Sequence, residues 1–233
     1  MSVVEVGGWI PFTTIDYPGK LAAVIFLVGC PLKCAYCSNW HLQTQQEGGY
    51  DSEKILGFLQ TRIGKLQAIV FSGGEALMQS NTALDYMHRV KELRFLIGLH
   101  TNGFYPNILQ QALEVVDWVG LDIKTDIKNY EKLTSNSAAY GQAMRSLDIL
   151  LESGKSFECR TTADPRFVTK ESLLEIAHKL SLHGVRNFAV QKYNPYSEAD
   201  LCKTTEQERM QFFIDDKIKK EINNLFESVV WRE

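Results

Sequence analysis

Apolar and polar positions alternate with two periods along this chain, and the switches between them mark its elements. Residues 21–29 form an apolar run of strand length that breaks at three closely spaced cysteines, Cys30, Cys34 and Cys37. Asp51 and Ser52 then cap a predicted helix to residue 62, with Ile55, Leu56 and Leu59 on one face. A strand over 67–71 follows and breaks at Ser72-Gly73-Gly74-Glu75. The alternation continues with helix 82–92, strand 95–99 into Thr101-Asn102-Gly103, helix 107–115, strand 118–124, and helix 137–152 stopped at Gly154. Strand 157–162, a helix opened by Thr169 and strand 187–191 complete six strand–helix repeats, which predict an α/β fold with parallel strands. Ahead of them, Val4 and Val6 suggest a short strand and Asp16 to Gly19 a turn. Behind them, Met210, Ile214, Ile218, Ile222, Leu225 and Val229 recur at helical spacing, which predicts a final helix or pair packed outside.

Strand parity aims particular side chains. Over 118–124, Val119, Leu121 and Ile123 point one way and Gly120, Asp122 and Lys124 the other. With helices on the apolar face, Asp122 and Lys124 enter the lumen at the strand's carboxyl end. Glu158, Arg160 and Thr162 likewise share a face opposite Phe157 and Cys159. Parallel strands carry function at their carboxyl ends, where the cysteine loop, Gly73-Gly74-Glu75, Thr101-Asn102, Asp122 with Lys124, Arg160 with Thr162, and Gln191 with Tyr193 all fall. Asp122 and Lys124 read either as ligand contacts or as an internal ion pair, and Arg160 as a ligand contact or a surface strand residue. His100 reads as a satisfied structural histidine, and Met78 and Met87 as core residues.

Composition narrows the setting. The 233 residues are 45% hydrophobic, enough for one large core, so a single domain is expected. With 25 Lys plus Arg against 28 Asp plus Glu, the net charge of -3 leaves no footprint for nucleic acid or an anionic membrane. No basic segment leads into an apolar one at the start, and the longest apolar run is too short for a bilayer, so a cytoplasmic chain is expected. Cys159 and Cys202 have no spacing partner and read as a buried hydrophobe or a loop thiol.

Three thiolates in a Cys-x3-Cys-x2-Cys loop can hold three irons of a cubane 4Fe–4S cluster and leave the fourth iron open. A zinc site would need a fourth ligand, for which His41 is in reach, and a disulfide would strand one of the three. At this loop, with Tyr36 before the last cysteine, the chain resembles the radical S-adenosylmethionine superfamily. The resemblance implies a partial (β/α)6 barrel with an N-terminal strand and a C-terminal helical extension, the core over about 8–195 and the extension over 196–233. It implies a 4Fe–4S cluster on Cys30, Cys34 and Cys37, and S-adenosylmethionine contacts from Tyr36, Ser38, Gly73, Gly74, Glu75, Thr101, Asn102, Asp122, Lys124 and Arg160. Ser72-Gly-Gly-Glu75 is similar to the family segment that holds the methionine amino group, with Ala76 where many members carry proline. Cofactor cleavage and hydrogen-atom abstraction follow from the resemblance.

Thr14, Asp16, Pro18 and Gly19, in TTIDYPGK, are similar to the turn of the glycyl-radical-enzyme activases, most of all to those of anaerobic ribonucleoside-triphosphate reductase. Pyruvate formate-lyase activases are near relatives. The partners implied are a glycyl radical enzyme and a flavodoxin or ferredoxin-type electron donor. Where the formate-lyase activases carry an aspartate that helps bind a monovalent cation, this chain has His100. Two other functions stay open: a radical enzyme acting on a small metabolite such as a deazapurine precursor, and a non-enzymatic metal scaffold.

Overall fold

Each strand pairs with its successor in the chain. The computed structural model describes residues 3–44, 49–197 and 203–233. Its strands are β1 (Val6–Thr13), β2 (Ala22–Leu27), β3 (Ala68–Gly73), β4 (Leu96–Thr101), β5 (Trp118–Asp122), β6 (Ser156–Ala163), β7 (Asn187–Lys192) and β8 (Ser228–Arg232), hydrogen-bonded in that order into one sheet. β1 runs antiparallel to β2, and every later pair is parallel. Among the described residues no pairing joins β8 back to β1, so the sheet is open on one side.

Helices fill the connections: α1 (Ser52–Gln60), α2 (Ser80–Glu92), α3 (Pro106–Ala112), α4 (Ile127–Thr134), α5 (Ala139–Ser153) and α6 (Lys170–Leu182), with α7 (Glu206–Met210) and α8 (Asp216–Asn223) between β7 and β8. Their ends follow local chemistry. Asp51 accepts from the N–H groups of Glu53 and Lys54 at the start of α1, Thr169 forms a capping box with Ser172 on α6, and Gly154 ends α5 at φ 68°.

Two apolar layers form on the two faces of the sheet. Ile25, Phe71, Val119, Leu121 and Cys159 face the helices and meet Leu59, Met87, Leu147 and Ile176, each such fully buried side chain contributing roughly 1.5–3 kcal/mol. On the inner face, at the amino ends of the strands, Val24, Val70 and Trp118 pack round Tyr17 from the β1–β2 turn. A Cβ at Gly98 would lie 2.9 Å from the Tyr17 ring, so a glycine on β4 makes room for this floor.

The six expected parallel strands are β2 to β7. The C-terminal extension differs from its expectation, because only α7 and α8 are helical and the rest is β8, a seventh parallel strand on β7. Leu225 and Val229 fit the end of the helical series, but β-branched residues at 229 and 230 favour a strand once an open edge is available. The hydrophobic pattern does not mark α4, whose eight residues span about two turns. Cys202 lies outside the described residues.

Candidate functional site

The cysteine loop follows β2 and is braced by main-chain hydrogen bonds from two directions. Gly29 N–H donates to Leu42 O at 2.7 Å and Cys30 N–H to Gln43 O at 3.2 Å, while Lys33 and Ala35 N–H donate to Thr134 O and Leu133 O at the end of α4. The unforeseen α4 is thus the buttress of this loop. Cys30, Cys34 and Cys37 are half-buried and line one cavity of about 370 Å³, a size suited to a small cofactor.

Gly73 and Gly74 line the same cavity, but the main reason for two glycines lies behind them. A Cβ at Gly73 would sit 2.2 Å from Leu27 O, and one at Gly74 2.3 Å from Gly29 O. Gly73 also has φ 127°, in the region that favours glycine. The pair lets the end of β3 press against the root of the cysteine loop, where Gly74 N–H donates to Leu27 O and Glu75 N–H to Gly29 O.

Glu75 follows the two glycines. Its carboxylate is buried and does not line the cavity; it accepts from Thr101 Oγ1 and Asn102 N–H, both at 2.7 Å, and from Leu77 N–H at 3.2 Å. Burial pushes it up to about 7 despite those three bonds. Glu75 therefore acts as a strut tying the β3 turn to the β4 turn. Thr101 and Asn102 do line the cavity, and Asn102 Nδ2 lies 3.6 Å from Cys30 Sγ while its Oδ1 accepts from Phe104 N–H.

Asp122 and Lys124 reach the cavity as strand parity demands, Lys124 just beyond the end of β5, and they form an ion pair at 3.3 Å. Arg160 sits against Asp122. It does not line the cavity; it lies across Gly120, where a Cβ would be 2.7 Å from its Cζ, and grips Asp122 at 2.8 Å and Gly120 O at 3.3 Å. Burial alone would raise the Asp122 carboxyl, but Arg160 and Lys124 together hold it below the usual carboxylate range. Lys124 Nζ also stands 5.8 Å over the Tyr36 ring. Deeper in the lumen, Arg232 of β8 holds the buried Glu158 at 2.7 Å.

His100 lines the cavity, with Nε2 2.9 Å from Asp16 O, a contact that requires the Nε2–H tautomer. Burial, reinforced by the charge of Arg160, pushes it down to about 3 against that hydrogen bond, so it is a neutral structural group. Tyr36 and Ser38 line the cavity beside the cysteines. Thr162, Gln191 and Tyr193 from the strand ends also line it, as do Asn39, Gln43, Lys192 and Asn194, which the sequence did not single out. Parity and strand-end position were the signal for Thr162, and strand-end position alone for Gln191; single polar residues in loops carry none.

The donor set decides what the cavity fits. His41, the fourth ligand a zinc site would need, is exposed and stands outside the cavity, and among the described residues no three His, Cys, Asp or Glu converge on one metal ion. Three thiols sharing a cavity can each bind one iron of a cluster, and the Leu32 N–H donated to Cys30 Sγ at 3.5 Å is the kind of sulfur hydrogen bond that tunes one. Without metal, burial raises the thiols of Cys30, to about 12, and of Cys34, so the charge of a bound metal is what would deprotonate them.

Fold and site define a parallel α/β protein with three thiols gathered at one cavity in the mouth of its sheet. The profile of the Radical SAM superfamily matches residues 24–180, and the chain belongs to that superfamily, whose members use a 4Fe–4S cluster and S-adenosylmethionine. Over 95% of its length it is 28% identical to a candidate glycyl-radical enzyme activating enzyme of Methanocaldococcus jannaschii, covering 98% of that protein. It is also 28% identical to the pyruvate formate-lyase-activating enzyme of Clostridium pasteurianum over 81% of this chain and 80% of that one. The fold is shared with native anSMEcpe with bound AdoMet and Cp18Cys peptide, at a TM-score of 0.66 and 14% identity, over 86% of this chain and 60% of that one. No described helix is long and apolar enough to cross a membrane.

Proposed function

We propose that this chain is a glycyl-radical-enzyme activase, and that its partner is an anaerobic ribonucleoside-triphosphate reductase. The observation that carries the reading is the single cavity shared by three cysteines, a Gly-Gly turn and a charged strand end, in a chain similar almost end to end to activating enzymes. The wording TTIDYPGK favours the reductase over a formate-lyase as partner.

Cys30, Cys34 and Cys37 would hold the cluster, and Gly73, Gly74, Thr101 and Asn102 would meet the methionine end of S-adenosylmethionine. Tyr36, Ser38, Asp122 and Lys124 would meet the rest of it. When bound, the cluster and S-adenosylmethionine supply reductive cleavage of the sulfonium and the means to abstract a hydrogen atom. The chain's own residues supply position: Arg160 fixes Asp122 from below, Glu75 fixes Thr101 and Asn102 from behind, and Tyr17 and Trp118 pack together as a floor. The open side of the sheet gives a loop of another protein a way in.

Reduced, reconstituted protein mixed with S-adenosylmethionine and an anaerobic ribonucleotide reductase should give a glycyl-radical doublet by electron paramagnetic resonance, lost when the loop glycine is changed to alanine. No doublet with that reductase, but one with a formate-lyase, would reassign the partner. Deoxyadenosine formed in proportion to a small molecule, with no doublet from either protein, would replace the reading with metabolite chemistry.

A further inference from the structure

Four carboxamides on the cavity rim have no duty in the site as described. Asn39 and Gln43 belong to the segment after Cys37, and Gln191 and Asn194 to the carboxyl end of β7. Both segments line the one cavity, and next to them the rings of Tyr36 and Tyr193 lie 6.4 Å apart. Among the described residues, none of the four makes a side-chain hydrogen bond, whereas Asn102 deeper in the cavity spends its carboxamide on Phe104 and Cys30. The cavity's two ammonium groups are already engaged, Lys124 by Asp122 at 3.3 Å and Lys192 by Glu206 at 3.2 Å. What the rim offers a substrate is therefore neutral and two-sided, since each carboxamide both donates and accepts.

That chemistry matches one kind of ligand. A peptide group also carries one donor and one acceptor, and a glycine has no side chain by which to be recognised. We infer that Asn39, Gln43, Gln191 and Asn194 form a backbone-reading rim, which grips the main-chain N–H and C=O groups flanking the target glycine of an extended segment. The inference rests on the activase reading and names how that site selects its substrate. It makes affinity depend on main-chain groups more than on the side chains beside the glycine, as in other modes where an extended peptide is held by its backbone.

The test uses binding, with the reconstituted protein and S-adenosylmethionine kept unreduced so that nothing turns over. Fluorescently labelled synthetic peptides copy the glycine loops of an anaerobic ribonucleotide reductase and of a formate-lyase, each with and without N-methylation of the peptide bonds flanking the glycine. The unmethylated peptides should bind within about threefold of each other, and methylation should weaken each about tenfold, the worth of one or two hydrogen bonds. The double variant Gln191→Ala/Asn194→Ala should melt like the parent and bind unmethylated peptide about tenfold more weakly. It should lose much less against methylated peptide, because the same bonds are already gone. Methylation without effect, unchanged binding by the double variant, fully additive penalties, or no binding of any peptide would each overturn the inference. The activase reading is scored separately on reduced samples. Methylation-sensitive binding without a glycyl radical keeps the rim and removes the activase, and a radical with methylation-insensitive binding does the reverse.

Discussion

The two sides of the cavity are built differently. On the side formed by β3 and β4, Glu75, Thr101, Asn102 and Gly103 spend their polar groups on one another, and the glycines of the turn touch the backbone behind them. On the β7 side, Gln191 is half-buried and Asn194 exposed, and neither carboxamide is engaged within the described chain. A saturated wall is a fixed mould, suited to a ligand that never changes; an unsaturated rim can adjust to a partner that arrives and leaves.

The comparison can be broken most directly at the cysteines. Cys34→Ala should leave the reconstituted protein without an intact cluster and abolish cleavage of S-adenosylmethionine, as should Cys30→Ala or Cys37→Ala, while Cys159→Ala, buried against the helices, keeps both. Iron analysis and deoxyadenosine release check this, and full activity in Cys34→Ala would remove the basis for the mould. Next in size, Glu75→Ala strips the acceptor from three buried donors and should cost roughly 3 kcal/mol in urea unfolding, against about 0.5 kcal/mol or less for Gln191→Ala. Equal losses would erase the distinction between the two sides.

Asp122→Ala should weaken S-adenosylmethionine binding about tenfold with iron content unchanged, and should cost about 2 kcal/mol because Arg160 and Lys124 lose their counter-charge. Normal cofactor binding with a lower melting temperature would leave Asp122 a purely internal ion-pair residue.

pH dependence tests the sign rather than the size of the effect, because Glu75 and His100 pull in opposite directions. His100 is held down to about 3, so between about 6.5 and 3 the unfolded chain takes a proton that the native state refuses, and its contribution is lost as pH falls through that window. Glu75 is raised to about 7, so its contribution is full below about 4.5 and is lost as pH rises to 7. Relative to the parent, Glu75→Gln should gain stability as pH rises from 4.5 to 7, and His100→Gln should gain it as pH falls from 6.5 to 4.5. Urea midpoints across that range read both slopes, and parallel curves would mean that neither group titrates as its burial demands.

The six central strands were legible because each closes on a glycine, a cysteine or a polar cluster just where its apolar run ends. β8 was not, since Leu225 and Val229 continue a spacing that a helix and a strand share over so short a stretch. In the site, the cysteines, the Gly-Gly turn, Thr101, Asn102, Asp122 and Lys124 could be found from strand ends and parity. Parity also brought Arg160 inward, but it cannot tell a side chain that reaches a cavity from one that stops at a neighbouring carboxylate. Glu75 shows the same limit for a motif, which fixes a residue's address and not the direction of its carboxylate. Asn39, Gln43 and Asn194 gave no signal because nothing in their spacing differs from ordinary loop polarity.

The sheet's strand order has a consequence for how the molecule is made. Because every strand lies beside its immediate successor, the sheet can lengthen one unit at a time as the chain leaves the ribosome, without waiting for a distant segment. The cysteine loop belongs to the second strand to emerge, whereas the β7 side of the cavity arrives some 150 residues later. For most of synthesis the three thiols therefore face a half-built vessel, whose far wall is laid down last.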